Sequence, residues 1–407
     1  MLYNLHDARN QALSPVRWMA ELTRMTYTNP LNPWSYTPIG RTLAAGSDVL
    51  ESILRERSKP DWMIEFADVD GEQMPVHVDV VRPRAFGNLI HFRREGAEKR
   101  NDPKILLVAP MSGHFATLLR GTVQALIQDH EVYVTDWIDA SLVPKEEGRF
   151  GIDTYIDYLM DFMRFLSPDL HVMAVCQPAP LVLAAVSLLA QNDDPAQPKS
   201  MVLMGGPIDT RAAPTVVTQL AENRPMSWFE SHCVHRVPPR YPGANRKVYP
   251  GFLQLRAFIS MNPARHATAH WRMYNHLIEG DGDSADAHRR FYDEYLAVMD
   301  TPAAFYLDTV REIFKEHSLP RGTMTWRGEV VDPSAIKKTA LMTVEGELDD
   351  ISAPGQTIAA HDMCKNLPKS KHLNYIQETV GHYGIFNGRR WREQIKPRIA
   401  EFVRKHG

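Results

Sequence analysis

The sequence predicts an α/β fold, a mostly parallel sheet with helices on both faces and a helical insertion. Three observations predict it. Short apolar runs alternate with helix-patterned stretches from residue 104 onward, the alternation stops between about 210 and 330, and it resumes near residue 340. Strands that alternate with helices call for a largely parallel sheet covered on both sides.

The elements follow in order. Residues 1–60 read as an N-terminal helical segment; in RTLAAGSDVLESILRER, Leu43, Leu50, Ile53, Leu54 and Arg57 recur at helical spacing with charges between them. Residues 61–209 form the first part of the core. MPVHVDVVRP and GNLIHFRRE alternate with period two and read as strands. KILLVAP (104–110), EVYVTDW (131–137), LHVMAVC (170–176) and SMVLMGGP (200–207) are buried strands. The helices between them are HFATLLRGTVQALIQ, TYIDYLMDFMRFL (154–166) and the apolar run after Pro178. Residues 210–330 carry 15 aromatics in 121 positions against 22 in the other 286, which predicts a cap or lid with its own packed interior. Residues 331–407 complete the core with ALMTVEG (340–346), HLNYIQE (372–378) and a last helix in RRWREQIKPRIAEFVRK.

Composition excludes several classes. The 407 residues are 44% hydrophobic and 23% charged, the balance of a folded globular chain. With 46 Lys+Arg against 49 Asp+Glu the net charge is −3, and no clustered basic footprint for nucleic acid is present. Three cysteines, at 176, 233 and 364, are too few and scattered for a disulfide framework, so a reduced, cytoplasmic compartment is expected. The first residues lack the pattern of a secretory signal. The longest apolar stretch, PAPLVLAAVSLLA, is shorter than the ~20 residues a transmembrane helix needs.

The chemistry concentrates at AVCQPAP (174–180), where a buried strand runs almost directly into a helix. This is the layout of a nucleophile elbow, with Cys176 at the turn. Ala174 and Pro178 stand where such motifs carry glycine; alanine is small, and proline suits a first helical turn. A helix N-terminus favours the thiolate that attacks carbonyl carbon. The backbone N–H of Gln177, one residue on, is then an oxyanion donor. A buried, inert thiol is the bland alternative. The order Cys176, Asp349, His382, each after an expected strand, is the nucleophile–acid–base order of α/β-hydrolases. Asp350 competes with Asp349 on spacing, and Asp349 is preferred. The second oxyanion donor is expected in the loop MSGHF (111–115); Met111, Ser112 and Gly113 are open on sequence, and Ser112 is chosen. His114 reads as a capping residue sooner than a substrate contact.

Other constellations carry less. SHCVHR holds His232, Cys233 and His235 without a second ligand pair, and surface clustering accounts for it. Asp281, Asp283 and Asp286 lack the glycine and distal glutamate of a calcium loop and read as a solvated turn. MSGHF is no phosphate loop. Neither a metal nor a cofactor is expected.

Six separated blocks, APMSGHFATLLRGTV, AVCQPAPLVLAAV, LMGGPIDTRAAPT, YPGFLQLRAF, TVEGELDDISAPGQT and GHYGIFNGRRWR, together resemble the intracellular polyhydroxyalkanoate depolymerases that degrade poly(3-hydroxybutyrate) in cytoplasmic storage granules. The likeness runs from about residue 1 to 405. It implies a cysteine nucleophile at Cys176, with the acid and base blocks at Asp349 and His382. It also implies a polyester substrate, a granule surface as partner, and coenzyme A as a possible competing acyl acceptor. The rival readings are a polyhydroxyalkanoate synthase-like acyltransferase and a granule-coating protein without turnover.

Overall fold

The protein is described from a computed structural model that covers residues 2–261, 263–279 and 282–407. These residues fall into two compact units. One gathers Met1–Asp61, Gly113–Leu118 and Pro250–Met299; the other gathers Trp62–Ser112, Leu119–Tyr249 and Asp300–Gly407.

The second unit holds a nine-stranded sheet. Its first strands are β1 (Phe66–Val69), β2 (Glu72–Arg82), β3 (Gly87–Arg94), β4 (Lys104–Val108), β5 (Glu131–Trp137), β6 (Leu170–Val175) and β7 (Ser200–Met204). Three short strands, β8 (His235–Arg236), β9 (Lys247–Tyr249) and β10 (Thr301–Pro302), make a separate ribbon, and β11 (Thr325–Trp326) pairs with β12 (Glu329–Val330). The large sheet finishes with β13 (Ala340–Gly346) and β14 (His372–Gln377). Its order is β1-β2-β3-β5-β4-β6-β7-β13-β14. The pairings from β1 to β5 are antiparallel, and those from β5 to β14 are parallel. This is an α/β-hydrolase sheet, as the sequence predicts. Every residue of β6, β7 and β13 is buried, which requires cover on both faces.

Local sequence explains the helices that frame the site. α4 (Ile152–Leu166) buries Ile152, Tyr155, Ile156, Leu159, Phe162, Met163 and Leu166 on one stripe. α5 (Ala179–Gln191) is buried at each position from Ala179 to Ala190, so it is apolar all round. The HFATLLRGTVQALIQ stretch forms a 3-10 turn over Ala116–Leu119 and then α3 (Arg120–Leu126), shorter than the sequence suggested.

The stretch 210–330, expected as a helical lid or cap insertion, divides between the units: Pro250–Met299 belongs to the first and the remainder to the second. The remainder is tied to that unit's own elements. Phe305 stacks on Tyr155 with ring centroids 4.8 Å apart, Trp326 Nε1 donates to Asp157 at 3.0 Å, and Arg246 donates to the carbonyl of Gly148 at 2.8 Å.

The first unit pairs α1 (Leu2–Thr28) with α2 (Pro38–Leu54), the helix that the sequence predicts. The α2 stripe faces outward: Leu43, Leu50 and Ile53 are 41–49% exposed, whereas Ala44, Ala45, Asp48, Glu51 and Ser52 are buried. The buried charges have partners. Glu51 takes Arg55 at 2.6 Å, Asp48 takes Arg289, and Arg57, beyond the helix end, holds Asp293 at 2.8 Å and the Ser52 carbonyl at 2.7 Å.

Candidate active site

β6 ends at Val175, and the chain turns at Cys176 with φ 67°, a left-handed conformation that cysteine adopts only under constraint. The constraint is local. Cys176 N–H donates to Met204 O at 2.7 Å, Ala179 N–H donates to Cys176 O at 3.1 Å, and Pro178 caps α5. Without flanking glycines, the turn needs room from elsewhere. The end of β7 supplies it: a side chain at Gly206 would overlap the methyl of Ala179 and lie 3.0 Å from Cys176 O.

β13 ends at Gly346, and the following turn buries Asp349. Asp349 Oδ1 accepts from Ile351 N–H and Ser352 N–H, both at 2.9 Å, while Oδ2 accepts from His382 Nδ1 at 2.7 Å. Asp350 is exposed, so the structure brings Asp349 and not its neighbour to the histidine. His382 opens a 3-10 turn after β14 and is 3% exposed. Nδ1 is held by Asp349, and Cys176 is among the groups that act on the ring. Gly205, at φ +53°, closes the floor; a Cβ there would lie 3.3 Å from both Asp349 Oδ2 and His382 Cε1.

Burial works against charge on His382, but its charge interactions with Cys176 and Asp349 and its hydrogen bond to Asp349 hold the imidazole well above its ordinary range. The other two thiols lack such partners. Burial pushes Cys364 up to about 12 and also raises Cys233, whose neighbour is the Tyr306 hydroxyl. All three cysteines are free.

Backbone donors border the elbow. Neither Gln177 N–H nor Ser112 N–H has an acceptor among the described residues, whereas Met111 N–H donates to Gln177 Oε1 at 3.1 Å. Of the three loop positions left open by the sequence, Met111 is thus already engaged. That side-chain bond was missed in the sequence; a polar residue directly after the nucleophile was the available signal.

The remaining candidates resolve differently. His114 caps no helix: it packs against Phe258 and Tyr295 at 5.2 and 5.0 Å, and burial pushes it down to about 4. In SHCVHR the exposed His232 stacks on Trp228 at 4.9 Å, His235 is half-buried, and Cys233 is buried. Asp281 lies outside the described residues, and Asp283 and Asp286 fall in a helix, Gly282–Tyr295, rather than a turn. Among the described residues no group of side chains could hold a metal.

The family described as "PHB de-polymerase C-terminus" matches residues 205–407, a span that begins at the glycine pair after β7 and includes Asp349 and His382. The chain belongs to the PHB depolymerase family. As a PHB depolymerase it is a carboxylic-ester hydrolase acting on a polyester, and Cys176 lies upstream of the matched span. No curated protein matches the chain.

Solved structures similar to this depolymerase include the 2-hydroxy-6-oxo-6-phenylhexa-2,4-dienoate hydrolase of Rhodococcus sp. strain RHA1. It is 13% identical, with TM-score 0.45 over 81% of this chain and 99% of that one. A monoacylglycerol lipase from Paleococcus ferrophilus is 14% identical, with TM-score 0.44 over 75% and 96%. A thermophilic esterase from Thermogutta terrifontis is 13% identical, with TM-score 0.42 over 83% and 100%. No helix among the described residues is long and apolar enough to cross a membrane.

Proposed function

We propose that this depolymerase cleaves poly(3-hydroxybutyrate) through a thioester on Cys176. The observation that carries the reading is the Asp349–His382 hydrogen bond, together with a cysteine held in a left-handed elbow that acts on the same ring. Cys176 passes its thiol proton to His382 as Sγ attacks an ester carbonyl carbon of the polymer, and the oxyanion is received by the backbone N–H groups of Gln177 and Ser112. The C–O bond breaks, and the departing chain end takes a proton from His382. His382 then draws a proton from water, whose oxygen attacks the thioester carbonyl. The C–S bond breaks and the 3-hydroxyacid end is released. Asp349 fixes the ring orientation and stabilises the imidazolium. No cofactor enters these steps.

A thioester is also open to thiols, so coenzyme A competes with water as acceptor in this scheme. A free thiol nucleophile suits a reducing cytoplasm, and the substrate form there is the storage granule. The test is release of 3-hydroxybutyrate and its oligomers from amorphous granules, with and without coenzyme A. Cys176→Ala should lower release by roughly 10⁴-fold or more while leaving the thermal transition in place. Unchanged release would remove the cysteine mechanism and favour a granule coat. Polymer formed from a 3-hydroxybutyryl thioester would favour the synthase-like reading.

A further inference from the structure

The loop that follows β4 is fixed at two points. At its start, Ala109 N–H donates to Thr135 Oγ1 at 2.9 Å and Ala109 O accepts from Trp137 Nε1 at 2.7 Å, both from β5. Two residues on, Met111 N–H donates to the side-chain Oε1 of Gln177 at 3.1 Å. An N–H can only meet the carbonyl end of a carboxamide, so this bond also sets which way the amide faces. Its Nε2 is buried with no acceptor among the described residues. The side chain directly after the elbow cysteine therefore spans to the opposite wall of the proposed oxyanion pocket.

We propose that the Gln177 carboxamide is a positioning residue for ester cleavage: by clamping Met111 N–H it holds the loop so that Ser112 N–H and Gln177 N–H point at one oxygen. The inference rests on the cysteine reading above and adds a role for the side chain of a residue whose backbone alone was implicated. The physical reason is preorganisation. An oxyanion hole works when its donors are already placed at the position the charge will reach, and a loop free to swing loses that placement. The clamp also explains why Met111 N–H does not serve as the donor itself, because its hydrogen is spent on the glutamine.

Two reactions of the same sulfur separate this role from general damage. Ester hydrolysis needs the oxyanion hole. Alkylation by iodoacetamide does not: the sulfur attacks the methylene carbon, the C–I bond breaks and iodide leaves, with no oxyanion formed. Gln177→Met keeps the length without the acceptor, and Gln177→Asn keeps the amide but withdraws it by one methylene. Each folded variant should lose about 100-fold in kcat for a soluble 3-hydroxybutyrate oligomer, the scale of one mispositioned oxyanion donor, with KM changed much less. The rate of Cys176 alkylation should stay within about threefold of wild type, since that reaction forms no oxyanion.

A folded variant that keeps kcat within about threefold, or one whose hydrolysis and alkylation fall together, overturns the proposal. Failure of the underlying reading looks different. In that case alkylating Cys176 in the unaltered protein would leave hydrolysis intact, whatever the glutamine variants do.

Discussion

Two helices of this molecule, α5 and α2, reach burial by opposite routes. α5 follows the elbow and hides twelve consecutive residues, none of them charged. α2 hides Asp48 and Glu51 and leaves leucines in water. The first route relies on apolar area removed from water, at roughly 25 cal/mol per Å². The second relies on each buried charge having a partner, since an unpaired one would cost several kcal/mol. Apolar periodicity marks a stripe on a helix, but whether that stripe turns inward depends on what the neighbouring elements offer. Arg289 and Asp293 offered charges.

The largest expected effect on activity lies where α5 begins. Gly206→Ala inserts a methyl into space already filled by Ala179 and Cys176 O, so strand and helix must separate. Destabilisation of about 1–3 kcal/mol by overpacking is expected, with hydrolysis falling further because the elbow shifts. Chemical denaturation and kcat measured on the same preparation check this. A variant with wild-type stability and activity would show that the glycine is not what makes room for the turn.

Next come paired truncations that set one helix against the other. Leu183→Ala on α5, where the side chain is fully buried, should cost about 2–5 kcal/mol. Leu43→Ser on α2, already 41% exposed, should change unfolding by about 0.5 kcal/mol or less. Equal costs in urea titrations would break the contrast.

The smallest effect per group is set by pH. Burial pushes His171 and His361 down to about 4, with His130, Lys199 and His406 adding to the effect on the first and His372 on the second. A histidine lowered in the folded state takes up its proton more readily when unfolded. Stability should therefore fall gently as pH drops from about 6.5 towards 4. Glu51 acts in the same direction at lower pH. Burial raises it, but the hydrogen bond and charge of Arg55 outweigh this and its carboxyl is lowered overall. Its contribution is present above the ordinary carboxylate range and is lost only as pH falls through the lowered value. Melting curves from pH 7 to 4 for wild type and His361→Asn should show a shallower slope in the variant. Identical slopes would mean that His361 is not held neutral.

Much of this was legible in the sequence. EVYVTDW and ALMTVEG match β5 and β13 residue for residue, because buried parallel strands are continuous apolar runs with sharp polar ends. Cys176, Asp349 and His382 were legible because each follows such a strand, and a sheet brings the ends of its parallel strands to one rim. Three features were not. The outward stripe of α2 depends on partners more than 230 positions away. The grouping of Pro250–Met299 with the N-terminal helices is a tertiary choice that no local pattern encodes. The compensation at Gly206 acts across neighbouring strands, so a motif read along one strand shows only the missing glycines.

That compensation also decides what can be moved. The heptapeptide 174–180 is not a portable cassette, since its turn borrows volume from the end of another strand. Grafting it onto a foreign hydrolase scaffold would require carrying residues 204–206 along with it. Conversely, a glycine at 179 would remove the methyl that a side chain at position 206 meets first, leaving the carbonyl of Cys176 as the limit.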